Sequence, residues 1–255
     1  MAPNRIEWEK FMLLGLKFVT LAGSEVIWSP SNNNFSHSIL FGAIPFTHTG
    51  VRAGYAVSDT VTLYGGINNG WDQLTDANKG KTVELGASII PNKALTINVT
   101  GYLGKESAVA PGTPGGGAQD TRNLLNVVAT YAISNRMSAG GEILYVSQDR
   151  PAGSAKYNGL AGYFTYNLNR EWRVAARAEM FDDKNNFHFG PNNQPAGTDV
   201  KYNEVTATLA YVPNSSVELR GEIRADRSDK GVFINSDNST AKSMQSLGFQ
   251  GIYKF

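Results

Sequence analysis

The chain ends in Gly251-Ile252-Tyr253-Lys254-Phe255, and a similar pattern recurs at internal points where a turn is expected. The tyrosines of these repeats each stand two residues before an apolar residue or proline that leads into the turn; they are Tyr55, Tyr131, Tyr166 and Tyr211, and Ile89 takes the same place in one further copy. Successive copies are about 34 to 45 residues apart, a spacing typical of a supersecondary repeat. Each repeat is a strand, a tight turn, a second strand and a longer loop, which predicts a chain built from hairpins.

Alternation of apolar and polar residues supports these strands. Between residues 216 and 226 the odd positions are apolar or glycine, and the even positions are Glu218, Arg220, Glu222, Arg224 and Asp226. Residues 172–181 follow the same rule, with Arg173, Arg177 and Glu179 on one face and small or apolar residues on the other. A period of two over such lengths indicates strands with one apolar and one charged face.

The pattern predicts about 12 strands and an antiparallel up-and-down arrangement. Their predicted bounds are 11–20, 47–57, 60–69, 81–90, 94–104, 121–132, 137–148, 156–168, 172–182, 201–212, 216–226 and 243–255. The connections that follow the tyrosines are short and the others are long, which is the arrangement of outer-membrane barrels. We therefore expect residues 1–255 to form a single transmembrane β-barrel domain, all-β in class, with the tyrosines in one interfacial girdle.

A soluble β-sandwich would show the same alternation, because its charged face meets water while its apolar face packs on a second sheet. Three features favour the membrane barrel: the one-sided row of tyrosines, the unequal loop lengths, and small residues on the apolar face. The small residues are Ala53, Gly65, Ala87, Ala176 and Ala207. They would leave the core of a sandwich poorly filled.

Composition excludes several other classes of protein. There are no cysteines, so thiol catalysis, disulfides and thiolate metal sites are excluded. The net charge of +1 gives no reason to expect a nucleic-acid partner. No apolar run approaches the ~20 residues of a spanning helix. The stretch from Phe11 to Leu21 is short, contains Lys17 and follows Glu7 and Glu9, so it is not a secretory signal. Since export needs such a signal, we expect it to have been removed or the natural N-terminus to lie further upstream.

Residues 21–46 interrupt the hairpin rhythm with a long polar stretch followed by an apolar one. The residues that characterise this region are Lys17 to Thr20, Gly23 to Glu25, Asn33 to Ser38, Pro45 to Arg52 and Asn69 to Asp72. With them, residues 17–72 resemble the beta-barrel porin-2 (OmpL-like) family of Gram-negative outer membranes. The resemblance implies that residues 21–46 fold inward as a constriction loop, with Glu25, Asn34, Ser36 and His37 in it. His37 stands where the resemblance implies an arginine.

The resemblance also implies about 16 strands with the inward loop after the fifth, whereas this loop follows the first strand found here. The first four strands of such a barrel would then be absent. Unpaired strand edges in lipid leave backbone groups unsatisfied at several kcal/mol each. We therefore expect a folded monomer to close as a narrower barrel, with 11–20 paired against 243–255, the alternative being a fragment with two open edges.

The polar strand faces supply the candidate site. We expect the following residues to line a pore: Arg52, Arg173, Arg177, Glu179, Glu218, Arg220, Glu222 and Arg224. The arginines either form a basic ladder opposite residues 21–46 or are neutralised by Glu179, Glu218 and Glu222 in a structural network. The sequence alone does not distinguish the basic ladder from the neutralised network.

Catalysis and metal binding are not indicated. The histidines are His37, His48 and His188, which are scattered and lie in no arrangement typical of a nucleophile or a metal site. No cofactor is implied. We expect passive diffusion of small hydrophilic solutes or ions through a water-filled lumen. The alternative is a plugged barrel with a structural or adhesive role. Expected partners are the outer-membrane bilayer, the assembly machinery through Phe255, and further copies of the chain.

Overall fold

The computed structural model describes residues 10–76, 80–106, 120–149, 153–190, 194–195 and 197–254. Its long strands are β1 (Phe11–Val19), β2 (Thr47–Ser58), β3 (Val61–Asn68), β4 (Thr82–Asn92), β5 (Leu95–Glu106), β6 (Asp120–Ala132), β7 (Met137–Gln148), β8 (Ala155–Asn167), β9 (Trp172–Lys184), β10 (Val200–Asn214), β11 (Val217–Ser228) and β14 (Ser243–Tyr253). The predicted strands are confirmed to within a few residues at each end.

These strands form one 12-stranded antiparallel sheet in which each strand pairs with its neighbour in the chain, from β1 through β11 to β14. A second, two-stranded sheet is the hairpin of β12 (Phe233–Ile234) and β13 (Thr240–Ala241), which the sequence pattern did not predict. The single large sheet contradicts the sandwich alternative, since no second sheet of the described residues covers its apolar face.

Asparagine side chains build three of the short turns in the same way. Asn92 Oδ1 accepts hydrogen bonds from the backbone N–H groups of Ala94 and Leu95, at 2.9 and 3.1 Å. Asn169 and Asn214 each accept from the residues two and three positions later in the chain. Such side-chain turns favour a tight reversal between strands. They therefore explain why one end of the sheet carries only short connections.

The outer face of the sheet is apolar. Large side chains near the middle of the strands are exposed on it, among them Leu85, Ile143, Leu160, Met180, Val205, Ile223 and Phe249. The predicted tyrosines lie on the same face at the short-turn ends, where Tyr211 pairs in register with Trp172 and their rings are 4.7 Å apart. The predicted row of tyrosines is therefore present at one end of the outer face.

The predicted closure of the sheet is wrong for this structure. Among the described residues, β1 pairs with β2 and β14 pairs with β11, and the other edge of each strand is unpaired. The concave face holds residues 21–46, whose tip packs Phe35 against Gly248 of β14. In this structure the two edges of the twelve-stranded sheet stay open.

Candidate functional site

Residues 21–46, here called the inward segment, run across the concave face of the sheet and back. The segment leaves β1 at Leu21, whose backbone N–H donates to the hydroxyl of Tyr102 on β5 at 3.0 Å. Gly23 N–H then donates to Asn126 on β6, and Ser24 N–H to Glu142 on β7. Successive backbone groups thus bind successive strands. The predicted inward fold of this segment is present in the structure.

Gly23 allows the chain to turn at this point. Its φ is +94°, in the left-handed region that side chains other than glycine rarely adopt. A Cβ here would also collide with the side chain of Ile44 on the returning half of the segment. Glycine is therefore required both by the backbone conformation and by the packing of the two halves.

The tip of the inward segment is held by the wall formed by β10, β11 and β14. Glu222 accepts hydrogen bonds from the backbone N–H groups of Phe35 and Ser36, at 2.8 and 3.0 Å. Arg220 donates to the carbonyl oxygens of Pro30 and Asn32, at 2.9 and 2.8 Å. The wall therefore binds the main chain of the tip with both acceptors and donors.

The returning half is anchored by a second carboxylate and a short helix. The two oxygens of Glu179 accept from the N–H groups of Ile39 and Leu40, at 2.9 and 3.0 Å. These residues begin α1 (Ile39–Gly42), and the side chain of Ser38 caps it by accepting from Phe41 N–H. Further along, Tyr157 donates to the carbonyl of Ala43 at 2.7 Å. The inward segment is therefore fixed to strands on both sides of the concave face.

The predicted pore-lining residues all lie on the concave face, and their arginines are paired. Arg52 contacts Glu84, with one bond of 2.7 Å. Arg177 is fully buried and contacts Glu25, Glu179 and Glu204 at 2.8 to 3.3 Å. The remaining arginines pair as Arg173 with Glu218, Arg220 with Glu218, and Arg224 with Asp226 and, at 3.9 Å, with Glu204. This geometry favours the network interpretation over a free basic ladder for Glu179 and Glu218, whereas Glu222 accepts from backbone N–H groups instead of neutralising an arginine. Arg224 and Arg173 keep 16% and 20% of their side-chain area exposed.

Among the predicted residues of the constriction loop, Glu25 binds Arg177, and Asn34 donates to Thr208 at 2.7 Å. The Ser36 carbonyl accepts from Arg177 at 2.7 Å. His37 lies against Phe41, with ring centroids 4.0 Å apart, and its Nε2 is 3.0 Å from the Val26 carbonyl oxygen. The structure thus gives each of these residues a contact that shapes the segment.

The pore-lining residues predicted from the sequence do not include several concave-face residues that complete the site. They are Glu84, Tyr102, Asn126, Glu142, Tyr157, Glu204, Thr208 and Asp226. All of them occupy the phase of the strand pattern that points away from the apolar outer face. Taking every residue in this phase of each strand as a pore-lining candidate would have included them.

Apolar side chains occupy the concave face near the long loops. A buried cluster joins Leu40 and Ile44 of the inward segment to inner-face residues of β5 to β10, including Tyr102, Leu144, Val146 and Phe181. The middle and short-turn parts of the same face are polar. Two hollows of about 210 and 420 Å³ lie there against Asn32 and Asn33 at the tip of the segment.

The histidines lie in three separate places. His48 packs on Tyr102, with ring centroids 4.5 Å apart, whereas His37 belongs to the inward segment. His188 lies in the loop after β9, where burial and the nearby charge of Arg122 lower its pKa from 6.5 to about 4. Within the described ranges no group of three or more metal-ligating side chains occurs. No helix in those ranges is long and apolar enough to cross a membrane.

The family of the chain follows from comparison with known proteins. The profile of the beta-barrel porin-2, OmpL-like family matches residues 12–255. The chain belongs to this family of porins. No curated protein matches the sequence significantly.

Solved structures with a similar fold are outer-membrane barrels. OmpT of Vibrio cholerae, in its in-vitro folded trimer form, has a TM-score of 0.64 and 15% identity over 96% of this chain and 77% of its own. The anion-selective porin from Comamonas acidovorans has a TM-score of 0.59 and 11% identity over 81% of this chain and 60% of its own. This porin-family chain therefore has the barrel fold and is located in the bacterial outer membrane.

Proposed function

We propose that the chain forms a channel for passive diffusion of small hydrophilic solutes or ions, narrowed by the inward segment. The observation that carries the proposal is the polar concave face, which meets the tip of the segment around two polar hollows. In a membrane barrel an apolar face meets lipid and the opposite face lines the lumen. The eight predicted pore-lining residues lie on that opposite face.

Unitary conductance tests this proposal. Purified, refolded protein is added to a planar lipid bilayer in KCl, and discrete current steps are expected. Protein that inserts, as judged by protease protection in vesicles, but gives no current steps would contradict the channel. The same preparation therefore separates a failure to insert from a closed lumen.

The exposed arginines are the ones we expect to act on passing ions. Arg173 and Arg224 retain exposed area, whereas Arg177 and Arg220 are buried. Removing either charge leaves its partner carboxylate, Glu218 or Asp226, less neutralised, and a negative charge on the wall of a narrow lumen favours cations. Replacing both exposed arginines with glutamine should therefore shift the reversal potential toward cation preference.

A suitable control is Arg136→Gln, since Arg136 lies in an exposed short turn. This variant removes one positive charge away from the concave face and should leave the reversal potential unchanged. An unchanged potential in the double variant would show that solutes do not pass close to these two side chains.

A plugged barrel with a structural or adhesive role remains the second candidate, and one observation favours it. The apolar cluster around Leu40 and Ile44 fills the concave face near the long loops. Wild-type protein without conductance, combined with current steps in a Leu40→Ala variant, would support this second function. Phe255 lies outside the described residues, so its contact with the assembly machinery stays a prediction, as does assembly into oligomers.

A further inference from the structure

A third hollow, here called the outer hollow, lies on the long-loop side of the inward segment. Its volume is about 350 Å³. Its apolar walls come from α1, the loop after β9, β10, the hairpin β12–β13 and β14; they are Ile39, Phe189, Tyr202, Val232, Phe233 and Met244. Hollows of this size with mostly apolar walls and a few polar groups are typical of small-molecule sites.

The loop wall of the outer hollow is held in place by a buried carboxylate. Asp183, at the end of β9, accepts hydrogen bonds from the backbone N–H groups of Phe187, His188 and Phe189, at 2.8, 2.9 and 3.0 Å. The Phe189 ring then packs against Tyr202, with centroids 4.7 Å apart. This wall is therefore formed before any solute arrives.

The opposite wall is carried by the hairpin β12–β13. Phe233 pairs in register with Ala241. The turn of the hairpin is closed by the bond from Asn235 N–H to the Ser239 carbonyl, at 2.9 Å. Two independently built elements thus bring aromatic rings to the same hollow.

The polar lining of the outer hollow consists of Ser38, His188 and the ion pair of Arg224 with Asp226, with Glu204 3.9 Å from Arg224 Nε. Arg224 Nε and Nη2 donate to the two oxygens of Asp226 at 2.8 and 2.7 Å, and Nη1 donates to the His37 carbonyl at 2.6 Å. An arginine has five N–H groups, so two more can donate to an oxygen of a solute. The carboxylate of Asp226 repels an anionic solute, so the outer hollow favours an uncharged one.

We propose that the outer hollow binds a small uncharged organic molecule with one aromatic ring and one oxygen acceptor, such as an aromatic alcohol. A cavity of about 150 Å³ admits benzene, so the outer hollow has room for a ring with a substituent. The ring packs between the two aromatic walls, and its oxygen accepts from Arg224. This inference rests on the proposed function, because it names a class of solute that enters from the long-loop side.

Photolabelling tests the site without any measurement of current. The probe is 4-(trifluoromethyl-diazirinyl)benzyl alcohol, which is added to the refolded protein in detergent, irradiated and mapped by peptide mass spectrometry. Label is expected on the peptides that contain Phe189 or Phe233, and an excess of benzyl alcohol should reduce it. Labelling found only on the apolar outer face would overturn the proposal, because such labelling shows that the probe dissolves in the detergent and does not bind in the hollow.

A large side chain in place of Gly42 should fill the outer hollow. Gly42 lines it, and a Cβ at this position has no described atom within 4 Å. Gly42→Trp should reduce the mapped labelling at least about fivefold. The control is Gly162→Trp, because a Cβ at Gly162 also has open space but lies on the outer face of β8. Phe233→Ala, which removes one aromatic wall, gives a second test if the first variant does not fold.

Labelling that persists in both Gly42→Trp and Phe233→Ala would overturn the site. Benzoate that competes as well as benzyl alcohol would overturn the assignment of an uncharged solute. Labelling that behaves as expected in protein without conductance would refute the channel and leave the binding site standing, so the two failures are distinguishable.

Discussion

Removing the Glu222 carboxylate should release the tip of the inward segment. This buried side chain accepts two backbone N–H groups and the hydroxyl of Thr208, at 2.7 to 3.0 Å. A hydrogen bond to a charged group contributes about 1.5 to 3 kcal/mol, and each buried donor left unsatisfied costs about 1 to 3 kcal/mol. Because the freed tip can in part reach water, we expect Glu222→Ala to weaken its anchoring by about 2 to 4 kcal/mol.

Hydrogen exchange measures this weakening directly. Amide exchange by local opening accelerates tenfold for each 1.4 kcal/mol, so the amides of Phe35 and Ser36 should exchange about 30-fold to 700-fold faster in the variant. Channels of Glu222→Ala should also show a noisier or larger conductance, since the tip then moves relative to the wall. Exchange can be read by mass spectrometry on peptides that contain these two residues.

A matched control is Glu106→Gln. Glu106 is likewise buried and accepts from a threonine hydroxyl, that of Thr82, and from one backbone N–H, that of Trp71. It binds the loop after β3 instead of the inward segment, so exchange at Phe35 should stay unchanged. Equal exchange at Phe35 and Ser36 in wild type and Glu222→Ala would refute the view that this carboxylate anchors the tip.

Two further predictions concern the loop after β9. The pKa of His188 is about 4 in the folded protein, against 6.5 ordinarily. Between these two pH values the unfolded loop therefore binds more protons than the folded loop. The stability of the packed loop should be fully present above about pH 6.5 and should fall by up to about 3 kcal/mol as the pH falls toward 4. Proteolysis of the loop at pH 7 and pH 5 checks this, and a His188→Gln variant with the same pH dependence would contradict it. Asp183→Ala should destabilise the 187–189 turn by about 3 kcal/mol or more, because three backbone donors lose a buried acceptor. The control is Asp199→Ala, at an exposed site of the same loop. Equal protease sensitivity in the two variants would contradict the role of Asp183.

Strand positions were predictable because the lipid-facing side imposes a period of two along every strand. The short turns were predictable for a related reason, since asparagine or proline stands at most of them. The inward position of residues 21–46 came from the family resemblance, and the structure shows this position.

The contacts of the site were not predictable, because they join residues far apart in the chain through main-chain groups. Glu222 binds Phe35 and Ser36, and no side-chain pattern at the tip reports those bonds. The apolar part of the concave face was also missed. Tyr102, Leu144 and Val146 occupy the phase that was assigned to water, and only the packing of Leu40 and Ile44 explains them.

Closure of the sheet was not predictable from the strand pattern. The cost of unpaired edge groups in lipid favours closure, but it does not tell how far a twelve-stranded sheet curves. In the structure β1 and β14 do not pair with each other.

The wall holds the inward segment mainly by its amides and carbonyls, and these groups are the same for every residue except proline. Side chains of the outgoing half, such as Ile27 and the 70% exposed Trp28, can therefore be exchanged without loosening the attachment. Homologous channels could evolve new permeability by altering only these positions, while the scaffold that fixes the aperture stays constant.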